Sequence, residues 1–119
     1  MFLLNPKHTL GAAFYSWEGL KHALRTEQAI VHVVVILVIF LGLLCWFASL
    51  PFLLMTLAWF LVLSLELLNA AVERVCDLVS PEFNPLVKQA KDLASAATAI
   101  AVAGNALLWL WLLLTNFLV

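Results

Sequence analysis

Two stretches of the chain, 28–65 and 93–119, contain no charged residue, and all the charge lies in 7–27 and 66–92. A membrane crossing by an α-helix needs about 20 predominantly apolar residues. Three segments meet that length: 29–49, interrupted only by His32; 52–71; and 93–118, which opens with the small residues LASAATAIAVAG. In 7–27, Leu10, Phe14, Trp17, Leu20 and Leu24 recur at helical spacing with Lys7, Lys21 and Arg25 among them. That pattern predicts an amphipathic helix lying in the membrane interface. The pairs Ser80-Pro81 and Asn84-Pro85 predict a loop over 79–86, with Pro85 in the first turn of the following helix. The fold class expected is therefore an all-α membrane protein: one interfacial helix, then three transmembrane helices, in a single membrane-embedded domain spanning 1–119.

The remaining polar positions in the apolar runs are not scattered. In LVLSLELLNAAVERVCDLV (61–79), Glu66, Asn69, Glu73 and Asp77 are spaced three, four and four residues apart, which puts them on one helical face. The stripe begins inside the second span and runs out of its end. An ionisable group at that depth is costly and is expected to face a protein interior or a wet cavity. Three acids on one face also repel one another unless a positive charge sits among them, and a divalent cation is the simplest candidate.

Composition agrees with the membrane assignment: of 119 residues, 66% are hydrophobic and 11% charged. A soluble domain has about 45–50% apolar and about 25% charged residues. The net charge of −1, with no basic patch, excludes a nucleic-acid binder. Lys7, Lys21 and Arg25 precede the first span, and Arg74, Lys88 and Lys91 lie between the second and third. With three spans, both basic regions fall on one side, which the positive-inside rule makes cytoplasmic. Cys45 and Cys76 fall near opposite ends of antiparallel spans and are not expected to pair. Trp46, Trp59, Trp109 and Trp111 read as interface and packing residues.

Acids, an amide and a lysine at the cytoplasmic surface of a membrane suit phosphoryl transfer with Mg²⁺ and ATP. The metal offsets phosphate charge, carboxylates hold the metal, lysine meets a phosphate and one acid takes the proton of the attacking hydroxyl. Glu27, at the start of the first span, and Lys91 and Asp92, at the start of the third, join the stripe in this reading. The four glycines, Gly11, Gly19, Gly42 and Gly104, form neither a P-loop nor a protein-kinase glycine loop. Two other classes stay open on the residues alone: a transporter using the stripe as a cation path, and a small assembly subunit. The first would place its acids near the midplane and show internal repeats; the second has no need of Glu66 at depth.

LELLNAAVERVCDLV (65–79) and NPLVKQAKDLASAAT (84–98), with YSWEGLKHAL (15–24) and TEQA (26–29), resemble the small integral-membrane lipid kinases. These are the bacterial diacylglycerol kinases and their undecaprenol kinase relatives. The resemblance implies a homotrimer in the bacterial inner membrane, with active sites between subunits at the cytoplasmic face. It implies that Glu66 is the general base on a lipid hydroxyl and that Asn69 supports it. Glu27 and Glu73 would hold Mg²⁺. Tyr15, Glu27, Glu73, Asp77, Glu82, Phe83, Asn84, Lys91 and Asp92 would meet ATP. Glu66, Ser95 and Trp46 would meet the lipid. The expected reaction is diacylglycerol to phosphatidate, with undecaprenol as the alternative acceptor. The chain departs from the pattern at His8, where the family has arginine, and at Val31, His32 and Val33, where it has an arginine–glutamine–glutamate run.

Overall fold

The computed structural model describes residues 6–117, which form four helices: α1 (Pro6–Thr26), α2 (Gln28–Phe47), α3 (Leu50–Val79) and α4 (Pro85–Phe117). Leu118, the last residue of the third expected span, lies outside the described residues, as does the side chain of His8. Among the described residues there is no strand. The helices α2, α3 and α4 are each long and apolar enough to cross a membrane.

The helix boundaries follow local chemistry. Between α1 and α2 only Glu27 leaves the helical region, at φ −119° and ψ 105°. Its backbone still serves both neighbours, donating to Ala23 O at 2.8 Å and accepting from Val31 N at 3.3 Å. The expected interfacial helix therefore stops at Thr26, one residue earlier than read from the sequence. The α2 helix ends at Phe47, not at residue 49, because Ala48 adopts the left-handed conformation (φ 45°, ψ 46°) and turns the chain. Ser49 then precedes α3, which has a proline in its first turn.

The α3 helix runs 30 residues, or about 45 Å at 1.5 Å per residue, longer than the membrane's hydrocarbon core. One continuous helix thus carries both the apolar span and the polar stripe beyond it. The α4 helix, 33 residues long, likewise contains KQAKD and the third span without a break.

In the bundle, α3 packs along both α2 and α4, and α1 rests against α2. Three tiers of buried side chains run along it. The first holds Ala23, Ile30 and Ala70 at the α1–α2 junction. The second holds Val33, Leu37 and Val62. The third holds Phe40, Met55 and Leu112, with Trp59 and Trp109 packed against it. Phe40 and Trp109 meet edge to face, centroids 5.1 Å apart. Trp59 and Trp109 are thus packing residues, whereas Trp46 and Trp111 are exposed. Hydroxyls inside the spans bond to carbonyls of their own helix, as Thr56 does to Phe52 O and Ser64 to Phe60 O. Thr98 Oγ1 also reaches Leu65 O at 3.5 Å, joining α4 to α3 one residue before Glu66. Cys45 is exposed and Cys76 buried, with no disulfide.

Candidate functional site

The first tier is what builds the site. Ala70 is buried on α3 against the α1–α2 junction, and its small side chain lets that junction approach. Four residues before it is Glu66 and four after it is Arg74, so one face of α3 presents an acid, a contact point and a base to the segment holding Glu27. Glu66 is half-buried, and the charges that act on it are those of Glu27 and Glu73. Asn69, one turn on from Glu66, is half-buried with its Oδ1 sealed from solvent and without a hydrogen bond. Buried amide oxygens are normally paired. Glu73 is exposed. Neither Glu66 nor Glu73 has an ion-pair partner among the described residues.

The other two acids are neutralised within the chain. Arg74 Nη2 lies 3.2 Å from Glu27 Oε1 and also donates to Thr26 Oγ1 at 2.9 Å. Lys91 Nζ lies 2.7 Å from Asp77 Oδ1, linking α4 to α3. The hydrogen bond to Asp77 is the main influence holding the Lys91 ammonium above the usual lysine range. Lys88 pairs with Asp92 one turn on, at 2.7 Å.

Beyond the stripe, the end of α3, the loop and the start of α4 enclose an open cleft of about 380 Å³, within the size range of small-molecule sites. Asp77, Glu82, Phe83, Asn84 and Lys91 line it, together with Ser80 and Lys88. The loop is locally fixed: Ser80 Oγ donates to Glu82 O at 3.1 Å, and Asn84 Oδ1 accepts from Leu86 N at 2.9 Å at the start of α4.

Two groups therefore come together among the expected residues: Glu27, Glu66, Asn69 and Glu73 around the α3 stripe, and Asp77, Glu82, Phe83, Asn84 and Lys91 around the cleft. Asp92 does not line the cleft and, among the described residues, is tied to it only through Lys88. Tyr15 lies exposed on α1 beside Phe14, and Ser95 is exposed on α4 one turn before Thr98. Trp46 sits 19 residues beyond Glu27 on α2, at the end away from the stripe. Of the departures from the family pattern, Val33 is buried against Leu37 and Val62, Val31 is half-buried and His32 exposed. Sequence reading overlooked Arg74 as a site residue, having used it only for topology. Its position eight residues after Glu66 on the same helical face was the available signal.

The donor set can be tested against the expected metal. Among the described residues no three acids, histidines or cysteines converge on a point, so a cage made wholly of protein ligands is not present. Mg²⁺ typically takes only one or two carboxylates and completes its shell with phosphates and water. Glu73, free of ion pairs, and Glu27, whose Oε2 makes no hydrogen bond among the described residues, fit that requirement.

Residues 14–113 match the family of prokaryotic diacylglycerol kinases. A diacylglycerol kinase of Helicobacter pylori strain J99 is 39% identical over 114 residues, covering 93% of this chain and 88% of the relative. That of Escherichia coli K12 is 34% identical over 108 residues, 89% and 88% of the two chains. That of Pseudomonas aeruginosa is 36% identical over 110 residues, 91% and 89%. The chain belongs to the prokaryotic diacylglycerol kinase family: it is a bacterial membrane protein and a lipid kinase with ATP as phosphoryl donor.

Proposed function

We propose that the chain transfers the γ-phosphoryl group of ATP to the free hydroxyl of diacylglycerol, giving phosphatidate and ADP, at the acid stripe of α3. The observation that supports this most is the half-buried Glu66 carboxylate, flanked by Glu27 and Glu73 and by an unpaired Asn69 Oδ1. A carboxylate there has reach to the membrane interface, where the hydroxyl of a diacylglycerol lies.

In this reading Glu66 accepts the proton of the lipid hydroxyl as the oxygen attacks the γ-phosphorus in line. The new oxygen–phosphorus bond forms as the bond to the β,γ-bridging oxygen breaks, and ADP departs with that electron pair. Asn69 steadies Glu66 and the acceptor. Mg²⁺, held by Glu27 and Glu73, supplies charge neutralisation for the polyphosphate when bound. Lys91 gives the nucleotide a positive contact, and the cleft of Asp77, Glu82, Phe83 and Asn84 receives the rest of it, with Asp92 and Tyr15 at its margins. Ser95 and Trp46 contribute to lipid contact.

Glu66 and Glu73 stay partly open to their surroundings in the single chain, so a second subunit is needed to close the site. The assembly is a homotrimer with sites between subunits, facing the cytoplasm from the inner membrane.

The test is purified protein in bilayers, given labelled ATP and either diacylglycerol or undecaprenol. Labelled phosphatidate at the faster rate supports the reading. Label entering undecaprenyl phosphate instead would move the acceptor assignment and leave the stripe's role intact.

A further inference from the structure

Among the described residues Arg74 is the basic side chain that pairs with Glu27, and its contacts are specific. The guanidinium is tied at three points: Glu27 Oε1 at 3.2 Å, Thr26 Oγ1 at 2.9 Å and, through Nη1, Ala70 O at 3.4 Å. Glu27 occupies the one-residue break between α1 and α2, and its side chain makes no capping bond to the helix it precedes. A carboxylate on a helix break with no local anchor has several rotamers to choose from. Arg74 removes that freedom by binding one carboxylate oxygen, and Oε2 makes no hydrogen bond among the described residues. The contact also crosses from α3 to the α1–α2 junction, over 47 residues of sequence.

The energetics argue for orientation over stability. Both partners are partly exposed, and such pairs add little to folding. Carboxylates that bind metals, in contrast, are commonly held by a further hydrogen bond, whose loss typically weakens metal binding by about 10- to 100-fold.

We propose that Arg74 is a positioning residue: it holds Glu27 by Oε1 so that Oε2 is presented to the divalent cation that accompanies ATP. This rests on the reading of Glu27 as a metal ligand. The opposite possibility, that the guanidinium competes with the cation for Glu27, predicts an effect of opposite sign, so measurement decides between them.

The experiment follows Mn²⁺ binding by electron paramagnetic resonance in the detergent-solubilised protein with the non-hydrolysable β,γ-imido analogue of ATP. No turnover is involved. Arg74→Ala is expected to weaken Mn²⁺ binding about tenfold, within the range for such supporting groups. Arg74→Lys is expected to recover part of the loss, and Thr26→Val, which removes only the second tether, to show a smaller loss. Thermal unfolding should scarcely move in any of them. If Arg74→Ala fails to fold, the other two variants carry the test. Unchanged or tighter Mn²⁺ binding in these variants overturns the proposal. Glu27→Gln separates the two levels. If it binds Mn²⁺ as wild type does, the metal reading of Glu27 fails. If it weakens Mn²⁺ and the Arg74 and Thr26 variants do not, only the role of Arg74 fails.

Discussion

Lys91 Nζ and Asp77 Oδ1 stand 2.7 Å apart, joining the start of α4 to the last turns of α3 across the loop that closes the cleft. The contact leaves Lys91 at the cleft wall with its charge secured. A phosphate entering the cleft would share the ammonium with Asp77. Lys91→Ala is therefore expected to raise KM for ATP about ten- to hundredfold, as loss of a charged hydrogen bond does. Asp77→Asn should have a smaller effect. Steady-state kinetics at saturating lipid check both, with thermal unfolding expected to change little because the pair is exposed.

Asn69 offers a test in which stability and activity move in opposite directions. Its Oδ1 is buried without a partner, which costs the fold. Asn69→Leu is expected to leave the nucleotide-free protein as stable as wild type or more so, while kcat falls at least tenfold. A stabilised but impaired variant is what a polar group kept for function gives. Loss of stability together with unchanged kcat would show that Asn69 serves the bundle instead.

Ile30 is 1% exposed and packs with Ala23 and Ala70. Ile30→Ala should destabilise by about 2–5 kcal/mol, read by unfolding in detergent. Because this tier sets Glu27 against α3, the variant is also expected to lose activity by more than its folded fraction accounts for.

Much of the fold was legible because the membrane imposes length and polarity rules that leave few options. The absence of charge in 28–65 and 93–119 marked the spans, and Pro85 marked the start of α4. What the pattern did not carry were local backbone choices: the left-handed Ala48 that ends α2 early, and the extended Glu27 that ends α1. Neither residue type advertises its conformation. The stripe from Glu66 to Asp77 was legible from spacing alone. Its internal cations were less so. Arg74 meets Glu27 only because Ala70 brings the α1–α2 junction onto α3, and Lys91 meets Asp77 only because the loop folds back. Those are consequences of packing between segments, which periodicity along one segment does not report.

Metal dependence follows from reading Glu27 and Glu73 as the carboxylates that would hold the cation. Chelation of divalent cations should abolish lipid phosphorylation, and added Mg²⁺ or Mn²⁺ should restore it. In Glu73→Gln the concentration of metal needed for half-maximal rate is expected to rise at least tenfold. A rate that survives chelation would remove the metal from the account.

The central claim is that Glu66 takes the proton of the lipid hydroxyl. The direct measurement compares wild type with Glu66→Gln for transfer of labelled γ-phosphate to diacylglycerol, with binding of the β,γ-imido analogue of ATP followed on the same preparations. The account predicts a fall in kcat of about 10²- to 10⁴-fold with analogue binding retained. Wild-type turnover by Glu66→Gln would contradict it.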